Sequence, residues 1–223
     1  MLFVSIFHEV LPHWPAPAIS VLLIIPAISL AAGNKDQQGK TPGVLKFAIG
    51  YALFVLLPLE ISTNYFPGTI STEKGDMKMG AGDETLDVYG WKLAGKKFDS
   101  LYKSDVAQKL MPARALVIIT NWIPGAHIDF YIAQPAGLET YGLGTVYDLH
   151  QYFWSNSFKR PLLKGDSAYY IIPSNLFTYK AFNKVLGSFS GYRVAYIFQE
   201  YRSGIVCKEY YYIRLNGYKG TTF

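Results

Sequence analysis

Cysteine is almost absent from the sequence. The single cysteine, Cys207, cannot form an internal disulfide framework or a cysteine-based zinc site. It lies in a segment with strand character, so we expect a small, buried hydrophobic side chain. The four histidines never stand four residues apart, which is the spacing of a helical metal site. The sequence therefore indicates no metal site.

Long runs of basic charge are also missing. The net charge is +5, all of it carried from Asn64 onward, and no basic run is longer than Lys96-Lys97. Nothing predicts a nucleic-acid partner, and a solvated surface of mixed charge is favoured over attraction to anionic lipids or phosphates. Residues 1–12 contain no basic residue, which argues against a secretory signal peptide. Residues 1–7 resemble the tail of an earlier helix, and the sequence leaves open whether the chain is a fragment or a complete gene product.

Two long apolar runs, residues 15–33 and 44–62, dominate the N-terminal part. About twenty helical residues cross the roughly 30 Å hydrocarbon core of a bilayer. Lys46 and Glu60, near the ends of the second run, can extend to the two interfaces. The pattern predicts a membrane α-helical hairpin, the alternative being a buried hairpin in a soluble protein, where runs of about 10 to 14 residues are expected.

The loop between the two runs sets the expected orientation. It carries Lys35 and Lys40, so the positive-inside rule places it in the cytoplasm and the chain after the second span outside. We divide the chain into a transmembrane part (1–63), a linker rich in glycine (64–83) and an extracytoplasmic domain (84–223).

The extracytoplasmic domain has the pattern of a small α/β fold. A helix over 90–109 precedes a strand at 115–120, a helix with Pro124 near its first turn, and a strand at 138–142. This order predicts a right-handed crossover and a parallel pair. The later predicted elements are a helix (145–153), a strand (168–172), a helix (177–186) and two strands (192–201 and 205–215). We therefore expect a small mixed sheet with a parallel βαβ core and a C-terminal antiparallel hairpin.

Three short motifs carry little functional signal. Gly142-Leu143-Gly144-Thr145 follows a strand and opens a helix, where amides can cradle a phosphate, but a tight turn is favoured because the dinucleotide fingerprint is incomplete. His127 and Asp129 lack a third ligand or a nucleophile, so we expect them on a hydrogen-bonded helix face. The run of tyrosines at 210–212 is typical of strand packing.

The opening segment has more functional character. Pro-His-Trp-Pro-Ala-Pro, residues 12–17, lies at the predicted outer interface, where Trp14 can anchor and His13 can face a lipid phosphate.

This segment also carries a family resemblance. Together with the apolar hairpin and the segments 89–91, 126–133, 143–144 and 165–172, it is similar to the C-terminal portion of bacterial GT-C type membrane glycosyltransferases. The similar families are the protein O-mannosyltransferases and the lipid A aminoarabinose transferases, which depend on a polyprenyl-phosphate sugar.

The resemblance implies sugar transfer from a polyprenyl-phosphate donor to an acceptor outside the bacterial inner membrane, with residues 64–223 in the periplasm. Such enzymes carry their acidic catalytic residue in an early loop that this chain lacks, so no catalytic residue is assigned and we expect no activity from the chain alone. His13, with Glu9 orienting it, is the candidate for binding the carrier phosphate. The implied partners are membrane lipids, the donor and the N-terminal transmembrane part. No cofactor is identified, and a divalent metal in the full enzyme stays open. The alternative is a membrane-anchored binding or scaffold module without catalysis.

Overall fold

The computed structural model describes residues 23–25, 27–28 and 42–220. The chain divides into two compact units, Met1–Pro58 and Leu59–Phe223. The first predicted span, 15–33, lies outside the described residues except for residues 23–25 and 27–28, so the predicted hairpin can be followed only in its second helix.

Helix α1, Gly43–Tyr65, covers the second predicted span. It has 23 residues, a mean hydropathy of 1.9 and Pro58 in its interior, and none of its residues, all of them described, is buried. Among the described residues it is the one helix long and apolar enough to cross a membrane. Length and composition agree with a span, although a signal sequence or a buried core helix passes the same test.

The α/β domain follows an irregular segment that ends near a 3₁₀ helix, Glu84–Leu86, with Asp83 as its N-cap. The helices are α2 (Trp91–Ala107), α3 (Trp122–Ile128), α4 (Val146–Leu149), α5 (Gln151–Ser155) and α6 (Tyr179–Gly187). The strands are β1 (Leu116–Ile119), β2 (Thr140–Gly142), β3 (Ala168–Pro173), β4 (Phe189–Arg202) and β5 (Ile205–Tyr218). A π-helical segment, Asp129–Ala133, continues α3, and short 3₁₀ helices lie at Gln134–Ala136, Asn156–Phe158 and Ser174–Leu176.

The five strands form one mixed sheet in the order β2-β1-β3-β5-β4. Strands β2 and β3 both run parallel to β1, whereas β5 is antiparallel to β3 and to β4. The predicted parallel βαβ core and the C-terminal hairpin are thus confirmed, and β2 and β4 form the two edges of the sheet.

Apolar side chains cover both faces of the sheet. On one face Val117, Ile119 and Tyr169 pack with Phe98 of α2 and Ile128 of α3. On the other face the alternate strand residues pack with α6, and this core includes Leu116, Ile118, Tyr170, Ile213 and Val185. Because both faces are covered, β1 is a continuous buried run, as its sequence predicts.

Helix α2 is fixed to the sheet by a buried carboxylate. The Arg214 guanidinium donates two hydrogen bonds to Asp105, and the Tyr169 hydroxyl donates a third at 2.7 Å. Asp105 is 1% exposed and Arg214 is partly buried, and the two hydrogen bonds between them fix the direction of the pair.

The predicted helix over 145–153 is wrong as a single helix. His150 has φ 49°, in the left-handed region, and it separates α4 from α5. An α-helix cannot continue through a residue of that conformation.

Candidate functional site

A crevice lies at the edge of the sheet where the order of the strands reverses, between β1 and β3. After β1 the chain continues into α3 on one face, and after β3 it continues into α6 on the other. The carboxyl ends of β1 and β3 lie side by side because the two strands are parallel neighbours. In open α/β sheets, ligands bind in the crevice at such a switch point.

The crevice has a volume of about 660 Å³, which suits a small molecule. Its floor is apolar and includes Ile119, Leu143 and Ile172. The polar side chains on its walls include Thr120, Asn121, Thr145, Asp148, Tyr170 and Lys180. This combination of an apolar floor and a few polar groups is typical of a binding pocket.

Two hydroxyl groups meet at the base of the crevice. The Thr120 Oγ1 and the Tyr170 hydroxyl, from β1's end and β3, are 3.4 Å apart. Burial raises the pKa of Tyr170 to about 12, so its phenol keeps its proton even in mildly alkaline solution and can donate a hydrogen bond. Beside them, Asn121 caps α3 by accepting a hydrogen bond from the Ile123 amide at 2.9 Å.

The rim of the crevice carries charge of both signs. On one side Thr145 donates a hydrogen bond to Asp148 at 2.8 Å, and on the other Lys180 and Lys184 project from α6. Asp148 is the one carboxylate among the described residues that line the crevice. A pair of carboxylates acting as acid and base is therefore missing from this lining, and the arrangement is suited to binding polar or anionic groups.

Two amides of the loop from Gly142 to Thr145 have partners within the protein. The Gly142 amide donates to the Asn156 side chain at 2.9 Å, and the Leu143 amide donates to the Ile119 carbonyl at 2.9 Å. Both amides are thus occupied by the protein itself and cannot cradle a phosphate.

The other predicted motifs are structural. His127 stacks on Trp91 with ring centroids 4.8 Å apart, and burial lowers the pKa of His127. Asp129 accepts a hydrogen bond from the Thr140 hydroxyl at 3.0 Å. These two side chains therefore have separate partners, and the run of tyrosines at 210–212 is buried in β5. Cys207 is buried and unpaired, as predicted.

Glu9, His13 and Trp14, the predicted interface residues, lie outside the described residues. Within the part of the chain that the structure describes, no group of three or more histidine, cysteine or acidic residues is arranged to hold a metal ion.

Sequence reasoning missed the crevice residues, although a signal for them exists. Thr120 and Asn121 stand at the end of the predicted strand 115–120, and Asn175 and Lys180 follow the predicted strand 168–172. Polar residues after neighbouring parallel strands meet at one edge of a sheet. Two buried charges, Arg202 and Lys208, were also missed, because hairpin strands are usually half exposed.

Comparison of the chain with protein-family models, with curated proteins and with solved structures finds no match.

Proposed function

We propose that this chain is the C-terminal part of a GT-C type membrane glycosyltransferase and that its α/β domain binds the sugar-bearing part of a substrate. One observation carries the proposal: the switch-point crevice offers hydroxyl, amide and ammonium groups but a single carboxylate among its described lining. Such a site is equipped to hold a polyhydroxylated or phosphorylated ligand. The catalytic acid or base would come from another part of the enzyme.

Helix α1 supports the membrane part of the proposal. Its 23 residues at 1.5 Å each are long enough for the roughly 30 Å core. A core helix of a soluble domain buries one face, whereas none of the residues of α1 is buried. Lipid is the environment that fits a helix apolar on all sides.

The positions of the family-like segments also support the proposal. Three of the segments that carry the resemblance contribute to the crevice lining, through Ile128, through Leu143 and Gly144, and through Tyr170. These segments are distant in the sequence, and the fold brings them to one place. A shared ligand site is a physical reason for them to occur together.

Ligand binding to the full chain in detergent micelles tests the role of the crevice. The probes are polyprenyl-phosphate mannose and polyprenyl-phosphate aminoarabinose, with binding followed as a shift in thermal unfolding. Thr178→Trp should abolish the shift, because Thr178 lines the mouth of the crevice and its side chain makes no capping bond that the change would remove. Lys180→Ala should weaken the binding of these anionic ligands. Lys97→Ala, an exposed lysine on α2 away from the crevice, is the matched control.

Unchanged binding in Thr178→Trp would exclude the crevice as the ligand site. Binding of soluble sugars but of neither lipid-linked donor would instead favour the second candidate, a membrane-anchored binding module without catalysis. The coding sequence upstream of Met1 separates these two functions independently, since the enzyme requires further apolar spans there.

A further inference from the structure

The turn between β4 and β5 holds the end of helix α1. Arg202 donates a hydrogen bond to the Thr63 carbonyl at 3.0 Å, and the Ser203 hydroxyl donates to the Tyr65 carbonyl at 2.7 Å. The last carbonyl groups of a helix have no partner within the helix. The hairpin turn therefore supplies the C-terminal cap of α1.

The buried guanidinium of Arg202 makes further contacts around this cap. Arg202 is fully buried, pairs with Asp83 at 3.2 Å and donates to the Gly68 carbonyl at 2.8 Å and the Thr85 hydroxyl at 2.8 Å. Its guanidinium also lies 5.4 Å from the centre of the Phe66 ring. Because these partners come from both sides of the junction, the turn cannot move away from the helix end without exposing an unpaired buried charge.

The sequence of α1 indicates the depth of this junction. The apolar run gives way to Glu60, Thr63 and Asn64, and the Asn64 amide donates to the Glu60 carboxylate at 2.7 Å. In a membrane-spanning helix, such polar residues lie at the level of the lipid head groups. The turn contacts this same segment directly, so it lies at the same level.

Large apolar side chains are exposed around the junction. We call them the hairpin-tip surface, and its members are Tyr65 (71% exposed), Phe66 (37%), Ile70 (59%), Tyr201 (50%) and Ile205 (55%). Single exposed apolar residues are common on proteins, but these five surround one buried ion pair. Tyrosine at this position is typical of the aromatic belt at a membrane interface.

We propose that the hairpin-tip surface lies within the head-group layer of the membrane that α1 crosses. The α/β domain thus rests on lipid through the β4–β5 turn as well as being joined to the span. The proposal depends on α1 being a membrane span, which is part of the proposed function. The partner is a lipid surface that receives aromatic and aliphatic side chains.

Site-specific fluorescence in vesicles tests the contact. Cys207 is fully buried and burial raises its pKa to about 11, so a thiol-reactive bimane label at neutral pH will react at an introduced cysteine instead. Ile205→Cys probes the tip, and Tyr201→Cys provides a second position should the first disturb folding. Lys164→Cys is the control, because its neighbour Gly165 bonds to Tyr218 at the far end of β5.

The full chain is reconstituted in phosphatidylcholine–phosphatidylglycerol vesicles that contain a lipid with a head-group nitroxide. The labels at positions 205 and 201 should be quenched, and the label at position 164 should not. A fourth label, at Phe54→Cys in the middle of α1, should be quenched by nitroxides on the acyl chains.

The outcomes separate the two proposals. An unquenched label at position 54 would show that α1 does not span the bilayer, and both proposals would lose their membrane basis. Quenching at position 54, with positions 205 and 201 as unaffected as 164, would overturn the tip proposal alone. Shielding of position 205 from aqueous iodide without quenching by nitroxide lipid would also overturn it, by showing that protein, such as a second copy of the chain, covers the tip.

Discussion

Lys208 is the most unusual single residue of the domain. Its side chain is fully buried in β5, donates to the Leu86 carbonyl at 2.8 Å and lies 4.4 Å from the Trp91 ring centre. Burial lowers its pKa from 10.5 to about 7, although Asp87 and Glu200 act in the opposite direction. Near neutral pH the Lys208 side chain is therefore present in both its charged and its neutral form.

This burial makes stability depend on pH. Between pH 7 and 10.5 the unfolded chain binds more protons at Lys208 than the folded chain, so stability rises with pH. We expect the free energy of unfolding to increase by about 1 to 2 kcal/mol between pH 7 and 8.5. Above that range Cys207 opposes the trend. Its thiol loses its proton at a lower pH in the unfolded chain than in the folded domain, and this ionisation stabilises the unfolded chain. The measurement is urea unfolding in micelles followed by tryptophan fluorescence.

Lys208→Met should remove this increase, since the titrating ammonium is replaced by an apolar chain of similar length. Lys97→Met, at an exposed position, is the control and should keep the wild-type dependence on pH. If Lys208→Met kept the same slope between pH 7 and 8.5, another group would have to be its source.

Helix α2 approaches the backbone of a neighbouring segment closely at Gly95. Gly95 lies against the π-helical segment Asp129–Ala133, and a Cβ atom at this position would overlap the Tyr131 carbonyl oxygen. The overlap is with backbone, which cannot rotate away as a side chain can. The glycine therefore sets the separation of α2 from the segment that follows α3.

Gly95→Ala should destabilise the domain despite the better helix propensity of alanine. Alanine gains roughly 1 kcal/mol in a helix interior, whereas forcing an extra methyl group into a packed contact costs about 1 to 3 kcal/mol. We expect a net loss of roughly 1 kcal/mol in urea unfolding. Gly187→Ala, at the last residue of α6 where a Cβ meets open space, should be neutral or slightly stabilising. Equal stabilities for the two variants would mean that α2 shifts freely.

The sequence predicts the order of the helices and strands and the direction in which the strands run. Strands β1, β2 and β3, the crossover and the β4–β5 hairpin all follow from apolar runs and turn residues in the sequence. The π-helical segment and the left-handed residue His150 do not, because tertiary packing produces them. The crevice depends on the order of the strands, which brings together side chains as far apart in the sequence as Thr120 and Tyr170, fifty residues from each other.

For the whole molecule, the structure bears on where the domain begins. The sequence suggests a linker over 64–83, and this segment is irregular, yet Gly68 and Asp83 bond to the buried Arg202. The compact unit begins at Leu59. The segment therefore contributes to the stability of the domain as well as connecting it.

We expect a soluble fragment of residues 84–223 to be less stable than one of residues 60–223. The shorter fragment lacks Asp83 and the Thr63 and Gly68 carbonyls, all of which bond to Arg202. Loss of the partner of a buried charge typically costs about 3 to 5 kcal/mol, so we expect a loss of about that size. Chemical unfolding of both fragments measures the difference. Asp83→Asn in the longer fragment should reproduce much of the loss, and identical midpoints for the two fragments would contradict this account.

Strand β5, the last in the chain, lies inside the sheet and is the sole link between β3 and β4 among the described strands. During synthesis, the parallel strands β1 to β3 emerge first but have nothing to pair with beyond β3 until residues 205–218 have left the ribosome. Until then, the edge of β3 in the nascent chain has no strand paired with it. A stop codon shortly before residue 205 would leave β3 and β4 permanently without their partner strand, and the cell's proteases would degrade the product.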